Sequence, residues 1–98
     1  MADAPRRAPS APAGELAPIR GELAIARTLK NQGAYYDAGV TLRVVQQSTA
    51  QLSARYPGDR EVAELRQRAR TLAAENRQAC QAEASLLRSR GEPAPPCP

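Results

Sequence analysis

Gly33-Ala34-Tyr35-Tyr36-Asp37-Ala38 separates two stretches in which apolar residues recur every three or four positions, so it decides how the chain folds back on itself. Before it, Leu16, Ile19, Leu23, Ala26 and Leu29 fall on one helical face. Gly33 is the natural stop, because glycine adopts the left-handed backbone that closes a helix. The spacing predicts a first helix from Pro18, where a missing backbone N–H costs nothing, to about Gln32. Gly21 weakens its opening turns, so this helix depends on packing. After the junction, Ala38, Leu42, Val45, Thr49, Leu52 and Tyr56 alternate by four and three, which gives a second helix over 34–56. Tyr36, Val40 and Val44 form a second apolar edge, which points to a central place for this helix.

Pro57-Gly58 ends the second helix, and Asp59 can accept hydrogen bonds from the N–H groups that open a third, over 60–89. Val62, Leu65, Ala69, Leu72, Asn76, Ala79, Glu83 and Leu86 continue the alternation, but Asn76 and Glu83 interrupt its apolar character. At 1.5 Å per residue the third helix is roughly 45 Å long and the second roughly 35 Å, so the third overhangs. The fold class that follows is all-α, an antiparallel three-helix unit in which a helical hairpin is followed by a long third helix. Asn76, Ala79, Glu83, Leu86 and Leu87 on the overhang are the candidate partner-binding residues, unless the Pro-rich tail folds over them. Asn76 at a core-type position either fixes register in an assembly or faces water at the bundle edge.

The two ends read differently. Residues 1–14 hold little beyond Pro, Ala, Ser and Gly and are expected to form a flexible arm, with 15–90 as the three-helix domain and 91–98 as a Pro-rich, extended tail. Between Ile19 and Leu87 stand seventeen large apolar or Tyr side chains, with no Phe and no Trp, so the core is thin. A chain this small then buries part of its surface on a copy of itself or on another protein. Cys80 and Cys97 have sixteen residues between them, and there is no His, so one chain cannot assemble a zinc site. The two sulfurs are either free thiols or a disulfide reached by a tail that doubles back.

Charge excludes little by itself. The formal net charge of +4 comes from thirteen Arg and one Lys, and the arginines of the third helix alternate with Glu61, Glu64 and Glu75. Abundant Ala, Arg, Gly and Pro match a genomic, bacterial-like base composition more simply than a nucleic-acid footprint. No run of eighteen apolar residues spans a membrane, and Arg6-Arg7 is followed by prolines and not by the apolar core of a signal peptide. The expectation is therefore cytoplasmic if Met1 is the native start, and extracytoplasmic if Cys80 and Cys97 are bridged.

Residues 25–45 resemble a tetratricopeptide repeat. Ile25, Ala26 and Leu29, then Gly33, then Tyr35, Ala38 and Leu42 follow that family's order of large and small residues. The resemblance implies a paired-helix unit in which Ala26 and Ala38 allow close approach while Tyr35 and Leu42 fill the space between helices. Val45 stands where the family has a small residue, and the Pro expected near Ala50 is Pro57, which makes the second helix about two turns too long. With a single copy, no peptide groove of the family can be carried over.

These readings converge on a non-enzymatic interaction module, an adaptor, scaffold or small subunit of a larger complex, whose partner is another protein or itself. The alternative is a basic nucleic-acid-binding accessory protein using Arg66, Arg68, Arg70, Arg77 and the terminal arginines. An enzyme is disfavoured, since no His is present and Glu83, three residues from Cys80, would raise a thiol pKa instead of activating it. No cofactor, metal or small-molecule substrate is expected.

Overall fold

The computed structural model describes residues 9–98. Helix α1 spans Ala13–Asn31, α2 Tyr35–Arg55 and α3 Arg60–Ser89, an antiparallel three-helix unit with no strand among the described residues. The junction between α1 and α2 is a Schellman stop. Gly33 has φ +78°, its N–H donates to the Lys30 carbonyl at 3.0 Å, and the Ala34 N–H reaches the Leu29 carbonyl at 2.8 Å. These bonds satisfy carbonyls that the end of α1 would otherwise leave open, and they reverse the chain within a few residues.

At the opposite end of the unit one carboxylate does two jobs. Asp59 precedes α3, and its Oδ1 accepts from the Val62 N–H at 3.0 Å, the N-cap expected of it. Its Oδ2 accepts from the Ala11 N–H at 2.9 Å. That second bond anchors the chain ahead of α1 and moves the start of α1 to Ala13, five residues earlier than the spacing predicts. Pro12, at φ −63°, leads into the helix, and Leu16 in the added turn is buried. Pro18 consequently sits inside α1, where it forgoes the bond an N–H would make to Gly14. The burial of Leu16 and the tie at Ala11 offset that loss. The expected arm over 1–14 is shortened accordingly; Arg6, Arg7 and the rest of 1–8 lie outside the described residues.

Helix α2 packs along both neighbours, and α1 and α3 touch each other least. The core draws Leu16, Ile19, Leu23 and Ala26 from α1, Leu42, Val45 and Leu52 from α2, and Val62, Leu65, Ala69 and Leu72 from α3. Ala26, Ala38 and Ala69 have no exposed surface at all, because at these points the helices approach too closely for a longer side chain. Thr49 is equally enclosed; its hydroxyl donates to the Val45 carbonyl at 2.9 Å, so no polar group is stranded. The second apolar edge of α2 behaves otherwise. Tyr36, Val40 and Val44 are 64%, 43% and 49% exposed, because both neighbours pack on the stripe running from Ala38 to Leu52 and none covers the outer face.

Two ion pairs, Arg20–Glu61 and Arg55–Glu15, each 2.9 Å, join the helix ends near Asp59. Both are exposed, so each contributes at most about 1 kcal/mol.

Two predictions follow from the packing and the cap. Ala38→Leu should lower unfolding stability by about 1–3 kcal/mol in urea titration, because the added atoms have no space, whereas Ala50→Leu on the exposed side should change it by less than about 0.5 kcal/mol. The bonds from Ala11 first, and then Val62, hold the Asp59 carboxyl below its ordinary range. A folded-state value below the unfolded one, about 3.9 for a free Asp, stabilises fully above about pH 4 and loses that contribution as pH falls through the folded value. The melting temperature of the wild type should therefore fall more steeply on acidification than that of Asp59→Asn; parallel slopes would show that these bonds do not form in solution.

Candidate functional site

Beyond Leu72 the aliphatic core ends, and α3 is held to the rest of the molecule by other means. Asn76 is 1% exposed, and its Nδ2 donates to the Tyr35 carbonyl at 2.9 Å, which ties α3 to the first turn of α2. One turn further, Cys80 is buried and disulfide-bonded to Cys97, with the two Cα atoms 5.7 Å apart. Of the two states the sequence allows for the cysteines, the structure has the bridge. The bridge removes thiol chemistry, and with it any role for Glu83 as a neighbour of a titrating Cys80.

The tail reaches Cys80 because α3 ends in a second Schellman stop. Gly91 has φ +72°; its N–H donates to the Arg88 carbonyl at 3.0 Å, and the Glu92 N–H to the Leu87 carbonyl at 2.9 Å. The chain then turns back, and Pro93, Pro95, Pro96 and Pro98 keep it from resuming a helix. Pro98 finishes against α2 at Gly39, where a Cβ would stand 2.6 and 2.7 Å from the proline ring carbons. A side chain at residue 39 is thus excluded by the seated tail. The tail over 91–98 is therefore a strap laid on the overhang, the alternative that the sequence leaves open for it. Among the described residues, 93–98 make no hydrogen bond to the helices.

Between the strap and the helices lies a groove of about 210 Å³. Gly33, Tyr35, Tyr36 and Asp37 form one wall, Cys80, Glu83, Ala84 and Leu87 the other, and Pro95 and Pro96 the rim. The five candidate residues on α3 divide around it. Asn76 is internal, not part of an open stripe; Ala79 is half-buried; Glu83 is exposed at the groove; Leu86 is 52% exposed; Leu87 is half-buried in the groove wall. The buried face past Asn76 runs through Cys80 and Ala84 and not through Ala79, Glu83 and Leu86. A helix of 3.6 residues per turn drifts away from a strict three-four alternation, and the step to Cys80 and Ala84 follows that drift. Ala84 and Gly39 escaped the sequence reading. Gly39 was the available signal, a glycine inside a helical pattern with no turn to make.

Three of the arginines share one cleft and others line a second. Arg68 joins Arg20 and Arg27 around a cleft of about 360 Å³ between α1 and α3, floored by Leu23 and Leu72, and Arg20 is already paired with Glu61. Arg77 instead lines a cavity of about 120 Å³ beside Gly39, Asn76 and Pro98. Among the described residues no group of three His, Cys, Asp or Glu side chains stands together, and no helix is long and apolar enough to cross a membrane. Comparison with protein-family models, curated proteins and solved structures finds no match to this chain.

A cross-link of this span stabilises by roughly 3 kcal/mol when the enclosed segment stays ordered in the native state with or without the bond. Because 93–98 make no hydrogen bond to the helices, reduction is expected to free the strap in the folded state as well as the unfolded one. Urea unfolding with and without a phosphine reductant should differ by well under that figure; a full loss of about 3 kcal/mol would mean that the strap docks on its own.

Proposed function

We propose that this chain is a non-enzymatic protein-interaction module, an adaptor or a small subunit of a larger assembly, that binds another protein or a second copy of itself. The observation that carries this reading is the apolar surface left in water. Leu86 projects from the overhanging half of α3, while Tyr36, Val40 and Val44 line the outer face of α2 at four-residue spacing. A core made only of aliphatic, Ala and edge Tyr side chains gives the isolated chain little reserve, so covering these residues on a partner would add to its stability.

The α1–α2 hairpin supports a tetratricopeptide-like reading of the unit. Ala26 and Ala38 are fully buried at the close approach, Leu42 fills the interior, and Gly33 closes the first helix. The bridge between Cys80 and Cys97 fits an oxidising compartment, where such a bond persists.

The test is affinity isolation of the full-length chain from its native host, with and without nuclease, in parallel with Leu86→Glu. The substitution lies on the surface, so helicity by circular dichroism should be unchanged. A stoichiometric protein partner that survives nuclease and is lost with Leu86→Glu is the expected result. Retention of the same partner by Leu86→Glu would remove α3 as the binding surface, and loss of everything on nuclease treatment would hand the function to the arginines.

A further inference from the structure

We infer that the groove between the first turn of α2 and the distal half of α3 is a binding site for an extended, proline-rich peptide segment of a partner, and that the chain's own tail occupies it as a disulfide-latched strap. The inference rests on the interaction-module reading and names the partner's chemistry.

The strap shows what the groove accepts. Glu92-Pro93-Ala94-Pro95-Pro96-Cys97-Pro98 lies there as an extended segment, with Pro95 and Pro96 at the rim facing Tyr35, Tyr36 and Leu87 across the groove. Proline-rich segments suit such a place, since their backbone is already extended and loses little entropy on docking between aromatic and aliphatic side chains. At the far end Pro98 meets α2 where residue 39 has no side chain, and a methyl group there would stand 2.6 Å from the ring. Gly39 is therefore a seat for a proline ring, inside a helix where glycine otherwise only weakens the fold.

The strap is also a poor final occupant. It leaves about 210 Å³ unfilled, its prolines at 95 and 96 remain exposed, and residues 93–98 make no hydrogen bond to the helices among the described residues. Apart from the main chain at Gly91, the Cys80–Cys97 bond is what fastens it covalently to α3. A dithiol reductant would take that bond apart by exchange. Two electrons pass to the protein disulfide, Cys80 and Cys97 become thiols, and the reductant leaves as its own disulfide. The strap then swings on the Gly91 stop and exposes the groove, which a longer or bulkier proline-rich segment fills better. Oxidised protein is closed, and reduced protein is open.

The probe is a synthetic peptide, Glu-Pro-Ala-Pro-Pro-Ser-Pro, titrated into full-length isotope-labelled protein to a few millimolar, roughly the effective concentration of a tethered tail. Three samples are compared by amide chemical shift: oxidised wild type, reduced wild type, and the variant Pro95→Gly/Pro96→Gly/Cys97→Ser/Pro98→Gly, in which the tail no longer competes. The expected result is no change in the oxidised protein and saturable shifts in the variant, confined to 33–39 and 80–87, with intermediate behaviour in the reduced wild type. Adding Gly39→Ala to the variant should weaken the peptide about tenfold or more, as overpacking by one methyl implies. Absence of binding to the tail-freed variant, or equal binding to the oxidised protein, overturns the inference. So does a reduced protein that re-oxidises into a dimer linked from Cys80 of one copy to Cys97 of another, since the groove would then serve a second copy. Loss of the peptide result with the Leu86-dependent partner retained would reject this site alone and leave the module reading standing.

Discussion

The structure depends on how closely three helices can approach without large side chains to wedge between them. Ala26, Ala38 and Ala69 are sealed from solvent, one on each helix, and the aliphatic side chains around them fill what space remains. There is no aromatic residue deep in this core; Tyr56 only packs at its margin. Dispersion contacts fall off steeply with distance, so such a core is favourable only at short interaxial separation. The tight junctions follow from that requirement. Gly33 reverses the chain within a few residues, and Asp59 holds the beginnings of α1 and α3 together through its two oxygens.

The molecule is built in two unequal parts. Up to Leu72, α3 is packed by aliphatic side chains from both other helices; past it, one hydrogen bond from Asn76, one disulfide and one strap take over. These are specific, breakable links in place of a distributed apolar contact. The exposed stripe of Tyr36, Val40 and Val44 begins at the same end of α2, so groove and stripe share one end of the unit.

Helix number, order and most boundaries were legible in the chain because each rests on local chemistry. The three-four spacing of Leu16 to Leu29, Ala38 to Leu52 and Val62 to Leu72 marks the faces, Gly33 and Pro57-Gly58 mark the breaks, and Asp59 caps α3. The bounds of α3 coincide with those read from the pattern because cap and stop are both local signals. The start of α1 was not legible, since the turn before Pro18 is held by the burial of Leu16 and by a bond between Ala11 and a carboxylate 48 residues away. A proline ordinarily reads as a first helical residue, and only the distant partner overrides it.

The candidate site was legible in outline alone. Overhang length and apolar residues at 86 and 87 marked the distal half of α3 as the candidate, because rise per residue and composition are properties of the chain. Which face of that half is open was decided by the tertiary structure. The cumulative drift of a 3.6-residue turn carries Ala84 inward and Leu86 outward, and the bridge to Cys97 brings the tail over Leu87. Sequence by itself determined where the helices are, since capping, glycine stops and apolar periodicity act over a few residues. The tertiary structure alone decided the strap, the seat at Gly39 and the place of Asn76, since each is a contact between segments whose separation along the chain carries no signal of their meeting in space.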